Sequence, residues 1–551
     1  MKKAVIIPAV KKNVAFHDDL VKKLAGHSLI ERAINKAKDI TEEENIYTVT
    51  DSEEIRLISQ RRNVQHYFEK SLRLFPGAIV ENLIGFLSTI ARNYQAFILL
   101  SPYVPLLKAE EILKAFKKFE LSKGKLLVPV KNEFSRIFTG DRKSTYEFLK
   151  GGTEQTVLIE SHAFQIIDSA LIWNEKLRLD IQPHIYELDH DLIEIQSYQD
   201  WWVCEKLLQR KRIIFRVIGD EQIGMGHIQR ALTLANEITD HEIRFVCEEK
   251  NKVATNKLAG YDYWLGIFKP EEIEEQIIAL EPDLVINDIL DSSPDYIRRL
   301  RSNNIRVVNF EDLGAGAGLT NLTINELYDK PLVSGDNILW GREYFFVREE
   351  FNDAKPNGFE GTVSNLLIMF GGTDPSDYTR KILHAVKNYC GQNKVKIYVL
   401  TGGGYRFIKE LRREIAEISA TEIGFYHSTG VVSHIMEKVQ IAISSNGRAV
   451  YELAHMNIPA VILSHHEREK THTFAIKENG FIPLGIHGGV EAERQLLKEL
   501  DRLVTDANYR KLLFNRLEPF NFIDNKKNIV KRILDVLDHQ EPVGLCQKCM
   551  P

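Results

Sequence analysis

The stretch RIIFRVIGDEQIGMGHIQRALTLANEI, residues 212–238, reads as a buried strand, a glycine loop and an amphipathic helix. Its first residues form a short Ile/Val-rich run, and beyond the loop Ile228, Ala231, Leu232 and Ala235 recur at the spacing of one helical face. Gly224 and Gly226 allow the backbone to bend sharply and approach a ligand, while the open amides of a helix start favour an anion. His227 falls at or near the first turn, where an imidazole is chemically sensible as a general base. The competing reading is a histidine that only caps or packs the helix.

Outward from this stretch the same unit repeats. KAVIIPA, NIYTVTD, AFILLS and KLLVPV precede it, IRFVCEE, DLVINDI and RVVNFED follow it, and NLLIMFGG, KIYVLTGGG, VQIAISSN and PAVILSH come later. Strand then helix, repeated, predicts an α/β chain with parallel sheets covered on both faces. A chain of 551 residues is also too long for one core. The helical DWWVCEKLLQRKR, ending in a basic cluster at 209–212, marks one boundary, and the polar NDAKPNGFEGT at 352–362 marks a hinge-like second. The expected domains are 1–210, 211–352 and 360–540, with a CxxC tail at 541–551.

Two later loops carry related chemistry. In NLLIMFGGTDPSDYTRKILHAV, Gly371, Gly372 and Thr373 open a loop, and a helix starting near Pro375 to Tyr378 offers amides to a diphosphate. The alternative is a tight turn capped by Asp374 or Ser376. In VQIAISSNGRAVYELAHMNIPAVILSHHEREKTHTFA, Ser445, Asn446, Gly447 and Arg448 form the loop. Glu452, one turn into the next helix, is placed to accept hydrogen bonds from ribose hydroxyls, or else to face solvent. His465, His466 and His472 read as a solvated loop in preference to a metal site.

Taken together, GMGHIQRALTLA (224–235), WGREYFFVREEF (340–351), FGGTDPSD (370–377) and SSNGRAVYELAHMNIPAVIL (444–463) resemble the GT-B glycosyltransferase fold. More narrowly they resemble the UDP-sugar hydrolases of pseudaminic acid biosynthesis. The resemblance implies that His227 activates water, that Gly371, Gly372 and Thr373 hold the diphosphate, and that Glu452 binds the ribose. Gly224, Gly226, Ser445, Asn446 and Gly447 would line the same nucleotide site. Asp288 matches the family's acidic strand end, although Ile289 and Leu290 follow it where the family has a tyrosine. No cofactor is expected for this half.

The N-terminal KAVIIPAV, LAGHSLIERAINKA, YTVTDSEEI and FILLSPYVPLL, closing with LIEIQSYQDWWVCEKLL, resemble the sialic-acid type of CMP-sugar synthetase, a Rossmann-like nucleotidyltransferase. That family takes CTP, a nonulosonic acid and magnesium. Here Lys11, Lys12 and Asn13 stand in place of the glycine loop, so this half reads either as a transferase whose phosphate contact rests on the lysines or as the same fold retained as a structural or regulatory module. Glu194 and Gln196 occupy the positions of two magnesium-binding aspartates, leaving Glu194 as the candidate Mg2+ ligand. Asp51 is placed either to bind a ligand or to cap the helix after it.

Composition narrows the partners. A net charge of -5 gives no basic surplus for a phosphate backbone, so no nucleic-acid partner is expected. The apolar run near the N-terminus is too short for a signal peptide or a membrane span, and five cysteines form no disulfide framework, so the expected location is cytoplasmic. Cys546 and Cys549 form half of a zinc site or a bland tail. The sequence thus points to surface-glycan precursor biosynthesis, with a UDP-sugar hydrolysed at the anomeric carbon with inversion. Rivals are an inverting UDP-sugar glycosyltransferase and an inactive nucleotide-sugar scaffold or sensor. A homo-oligomer is compatible with the sequence.

Overall fold

The computed structural model describes residues 1–538 apart from 12–15, 17, 75–78, 123, 134–137, 142–144, 149–156, 174–180, 189–191 and 221. Lys12, Asn13, Cys546 and Cys549 therefore lie outside the described residues. The chain divides into two compact units, Met1–Arg210 and a second beginning at Lys211.

The first unit contains β1 (Lys3–Pro8), β2 (Ile46–Thr50), β3 (Gln65–Phe68), β4 (Ala96–Leu100), β5 (Leu126–Glu133), β6 (Val157–Glu160), β7 (Phe164–Asp168) and β8 (His184–Glu187). They form one sheet in the order β3-β2-β1-β4-β7-β5-β6, with β8 beside β5. Strands β1 to β4 are parallel neighbours, whereas β7 runs antiparallel to both β4 and β5. Alternate residues of β1 enter opposite cores, Val5 and Ile7 on one face and Ala4 and Ile6 on the other. That is why the strand reads as an unbroken apolar run. Helix α1 (Leu29–Lys38) starts at a capping box of Ser28 and Glu31 and buries Leu29, Ile30, Ala33, Ile34 and Ala37. Helix α2 (Tyr198–Gln209) closes the unit.

The second unit is built from two all-parallel sheets. The first holds β9 (Arg212–Val217), β10 (Glu242–Glu248), β11 (Trp264–Phe268), β12 (Leu284–Asp288), β13 (Arg306–Phe310), β14 (Leu322–Asn325) and β15 (Ile338–Trp340), ordered β11-β10-β9-β12-β13-β14-β15. The second holds β16 (Asn365–Met369), β17 (Lys396–Thr401), β18 (Ile423–His427), β19 (Ile441–Ser445), β20 (Ala460–Ser464) and β21 (Phe481–Ile486), ordered β18-β17-β16-β19-β20-β21. In each, the direction of strand order reverses between the first strand and the fourth, the position at which doubly wound sheets open a ligand crevice. Helices α3 (Gly226–Glu237), α4 (Tyr378–Gln392) and α5 (Ala449–His455) follow β9, β16 and β19. This is the α/β, GT-B arrangement of two Rossmann-like halves.

One boundary read from the sequence needs moving. Helix α6 (Asn525–Asp538), which the sequence places in the second half (360–540), packs Ile529, Ile533 and Leu537 into the first half's core with Ile213 and Phe215. Lys526 on it pairs with Glu237 at 2.6 Å and Glu349 at 2.5 Å. The hinge-like 352–362 segment is also pinned: Asn357 donates to the carbonyls of Met436 and Val439 at 2.9 Å each. The halves share a continuous aromatic stack, Phe345 on Tyr451 at 4.0 Å and Tyr451 on Phe474 at 4.2 Å. Among the described residues no helix is long and apolar enough to cross a membrane.

Candidate active site

Strands β9 and β12 are neighbours, so the loop after β9 and the end of β12 meet at the reversal point. Asp220 organises that loop: its carboxylate accepts from the amides of Gln222 and Ile223 at 2.8 Å each. Gly224 then adopts φ 88°, a left-handed conformation costly for any residue with a Cβ. The chain turns into α3, and His227 comes to lie against Asp288, the last residue of β12. The His227 Nδ1 to Asp288 Oδ1 distance is 2.5 Å, with the residues 6% and 1% exposed. A carboxylate only accepts, so Nδ1 carries the proton in this contact and Nε2 is the ring nitrogen left for other partners. The geometry is that of a base oriented by an acid.

Arg230, one turn further along α3, lies in the same buried cluster. Its Nε donates to Asp288 Oδ2 at 2.7 Å, and its two terminal nitrogens reach Asp288 Oδ1, Glu326 Oε1 and Glu311 Oε2. Burial would raise the Asp288 carboxyl, but Arg230 and His227 outweigh it and hold the group well below the usual carboxylate range. Arg448, from the other half, donates to the same Glu326 Oε1 at 2.6 Å and to the Phe346 carbonyl at 3.1 Å.

The two reversal points face each other. A Cβ on Gly224 would lie 3.4 Å from Thr373 Oγ1, one on Gly226 would lie 3.3 Å from Arg448 Cδ, and one on Gly372 would lie 2.7 Å from Met225 Cγ. Thus 224–226, 371–373 and 445–448 form one set of opposed loops. Gly371, at φ 75°, begins the second loop, and Ser445, 4% exposed, ends β19 beside it.

Several roles read from the sequence shift in detail. The amides of Tyr378 and Thr379 at the start of α4 are taken by the Asp374 carboxylate at 2.8 and 2.7 Å, so the capping alternative describes this turn. Any diphosphate contact there falls to the 371–373 backbone and the Thr373 hydroxyl. The Asn446 side chain donates to the Glu469 carbonyl at 2.7 Å and so braces the 465–473 segment. Gly447 packs beneath the Glu469 carboxylate, 3.6 Å from an added Cβ. Burial pushes Glu469 up to about 7. Glu452 is 8% exposed and faces Arg348, not solvent, accepting from Nε at 2.8 Å and Nη2 at 3.0 Å. A carboxylate offers about four lone-pair sites, so ribose hydroxyls can still share it. The solvated-loop reading of the histidines fails for two of them, since the His465 and His472 side chains are 6% and 8% exposed.

In the first unit Lys11, shortly after β1, is paired with side chains of the same unit. The Lys11 amide donates to Asp51 Oδ1 at 2.7 Å, and its ammonium pairs with Asp18 at 2.8 Å and Glu54 at 3.0 Å. Ser52, not Asp51, caps the following helix. Glu194 is half-buried and Gln196 exposed. Among the described residues no three His, Cys, Asp or Glu side chains converge as a metal site. The Glu194 carboxylate would supply one oxygen to a magnesium ion held otherwise by substrate phosphates and water.

The chain is distantly similar to several known proteins. No family model matches it. It is 23% identical over 340 residues to the spore coat polysaccharide biosynthesis protein SpsG of Bacillus subtilis, covering 59% of this chain and 97% of that protein. It is 24% identical over 294 residues to an uncharacterized protein of Methanocaldococcus jannaschii, covering 48% of this chain and 60% of that protein. Among solved structures, Acinetobacter baumannii MurG is similar at 12% identity and a TM-score of 0.43, over 59% of this chain and 99% of MurG. A CMP:2-keto-3-deoxy-manno-octonic acid synthetase complexed with CTP is similar at 10% identity and a TM-score of 0.31, over 38% and 99% of the two chains.

Sequence reasoning passed over Arg230, Glu311, Glu326, Asp220 and the cross-cleft reach of Arg448. Arg230 could have been found, because at three residues from His227 it shares a helix face that is otherwise apolar. Glu311 and Glu326 follow β13 and β14, and only the folded sheet brings them to the histidine.

Proposed function

We propose that the second unit hydrolyses a UDP-sugar at its anomeric carbon, with inversion, in the making of a surface-glycan precursor of nonulosonic type. The observation that carries this reading is the buried His227–Asp288 pair at one reversal point, opposed by the glycine loop 371–373 at the other. His227 Nε2 takes a proton from water as the water oxygen bonds to the anomeric carbon. The bond from that carbon to the diphosphate oxygen breaks, and UDP leaves with the electron pair. Backbone amides of 371–373 and the Thr373 hydroxyl would stabilise the departing charge, and Glu452 would share its carboxylate between Arg348 and the ribose. Turnover then returns the proton to solvent.

For the first unit the proposal is a cytidylyltransferase-like domain, with CTP and a nonulosonic acid as its ligands and Glu194 as its magnesium contact. Lys11 is paired with Asp18, Asp51 and Glu54, which supports a retained module over an efficient transferase.

The test is incubation of the full chain with a panel of UDP-sugars, with and without sugar acceptors, reading UDP and free sugar. Acceptor-independent release of free sugar of inverted anomeric configuration is expected. Release of UDP only with an acceptor would make the protein a transferase, and no release at all with intact UDP binding would make it a sensor.

A further inference from the structure

The pair Glu311 and His472 spans the two halves of the second unit and takes no part in the hydrolytic chemistry. Glu311 follows β13 in the first half, and His472 lies in the 465–473 segment of the second half. His472 Nε2 stands 3.8 Å from Glu311 Oε1, with the side chains 8% and 9% exposed. The ring is fixed in orientation: its Nδ1–H donates to the Asn446 carbonyl at 2.7 Å, and Tyr328 meets it edge to face at 5.3 Å. With Nδ1 as the donor, Nε2 presents a lone pair. That nitrogen has no hydrogen-bond partner and is sealed from solvent.

Glu311 is placed to be an acceptor as well. Its Oε2 accepts from Arg230 Nη2 at 3.2 Å, and Arg230 also holds Asp288 beside His227. Burial opposes ionisation, yet the surrounding positive charge, with the buried Arg230 guanidinium in direct contact, outweighs it and holds the Glu311 carboxyl below its usual range. Burial likewise holds His472 below the usual histidine range, against the pull of Glu311. Near neutral pH, then, two buried acceptors face each other with no donor between them. Buried polar atoms are almost always paired, so an arrangement of this kind calls for a donor from outside. At 3.8 Å apart the two acceptors can each take one hydrogen of a single amino or ammonium group, or one proton from each of two neighbouring hydroxyls, at normal hydrogen-bond length.

We infer that Glu311 and His472 together form a sugar-binding subsite that accepts hydrogen bonds from two neighbouring hydroxyls, or from one amino group, of the glycosyl moiety. This rests on the UDP-sugar reading of the second unit and deepens it. The subsite exists only with the halves together. Across the cleft Arg468 holds Asp291 through two contacts of 2.9 Å and the Glu311 carbonyl at 3.0 Å, and the Thr473 amide donates to the Leu327 carbonyl at 3.2 Å.

The inference is tested by titration calorimetry on the full chain with two probes, UDP and UDP-N-acetylglucosamine. The wild type is expected to bind the UDP-sugar more tightly than UDP. His472→Phe keeps an aromatic ring but removes the acceptor, and Glu311→Gln removes the negative charge and, with its amide nitrogen toward His472, replaces an acceptor by a donor. Each should cut UDP-N-acetylglucosamine affinity about tenfold or more, the scale of a hydrogen bond to a charged or buried acceptor, while UDP affinity stays within about twofold. Glu311→Gln is the nearly isosteric variant, so it decides the matter if His472→Phe folds poorly. If the wild type binds both probes equally, or if both affinities fall in parallel in Glu311→Gln, the subsite is overturned while the nucleotide reading stands. If the wild type does not bind UDP, the nucleotide reading fails and takes the subsite with it.

Discussion

The two units share a topology at their first strands and use it in opposite ways. Both place β-strand, loop and helix at the head of a sheet whose order reverses beside that strand. In the second unit the loop turns on Gly224, delivers His227 to Asp288, and opens toward the glycine loop of a facing sheet. In the first unit the same place is occupied by Lys11, whose amide and ammonium are consumed by Asp51, Asp18 and Glu54. A Rossmann-like sheet supplies a location for chemistry; whether backbone and side chains there face a ligand or each other decides whether any chemistry follows.

The sharpest way to break this contrast is at the histidine. His227→Ala should lower UDP-sugar turnover by about 10² to 10⁴ fold, the usual weight of a general base, with UDP affinity little changed. Asp288→Asn should also cost rate, because an amide can orient the ring in the wrong tautomer. Steady-state kinetics of both variants is the measurement, and full activity in His227→Ala would remove the base from the mechanism.

A second, smaller effect belongs to Arg230. Removing it as Arg230→Met leaves Asp288, Glu311 and Glu326 buried without their shared cation, which should cost about 3 to 5 kcal/mol in denaturant unfolding. The pH dependence follows in sign. The folded-state value of Asp288 is depressed, so its stabilisation is present above the unfolded aspartate value of about 3.9 and is lost as pH falls through the folded value. In Arg230→Met that loss should begin at higher pH. An unchanged acid transition would mean that Arg230 does not hold Asp288.

Between these sites lies the packing of the loops themselves. A Cβ on Gly402 would meet Gly372 Cα at 2.4 Å and its carbonyl oxygen at 2.4 Å, backbone atoms with nowhere to go. Gly402→Ala should therefore cost about 1 to 3 kcal/mol, as overpacking does, and should weaken UDP binding by displacing 371–373. If unfolding and UDP affinity both match the wild type, that loop is not held by this contact.

Much of the fold was legible because it is written locally. The largely apolar runs of β9, β16 and β19 are buried on both faces, and burial on both faces leaves an apolar signature without strict alternation. The reversal-point residues were legible for the same reason, since Gly224, His227 and Gly371 lie beside strand ends. What was not legible is held by long-range contact. Helix α6 looks like the end of the second half until Ile529 and Ile533 are seen in the first half's core. Glu311, Glu326 and His472 carry no local mark, because their partners are tens to more than a hundred residues away. Asp374 was legible only as an alternative, because a helix cap and a phosphate loop begin with the same residues.

The smallest expected effect sharpens the contrast from the other side. Lys11 is about a third exposed and so are its partners or more, so its ion pairs with Asp18 and Glu54 contribute little. Lys11→Ala should change unfolding free energy by no more than about 1 kcal/mol. It should also leave CTP-dependent pyrophosphate release, assayed with a panel of nonulosonic acids, at the wild-type level, because a lysine already neutralised by two carboxylates has little charge to lend a triphosphate. A collapse of pyrophosphate release in Lys11→Ala would reverse the comparison: Asp18 and Glu54 would then be the groups that park the lysine until CTP arrives, and the first unit would be as much a working site as the second.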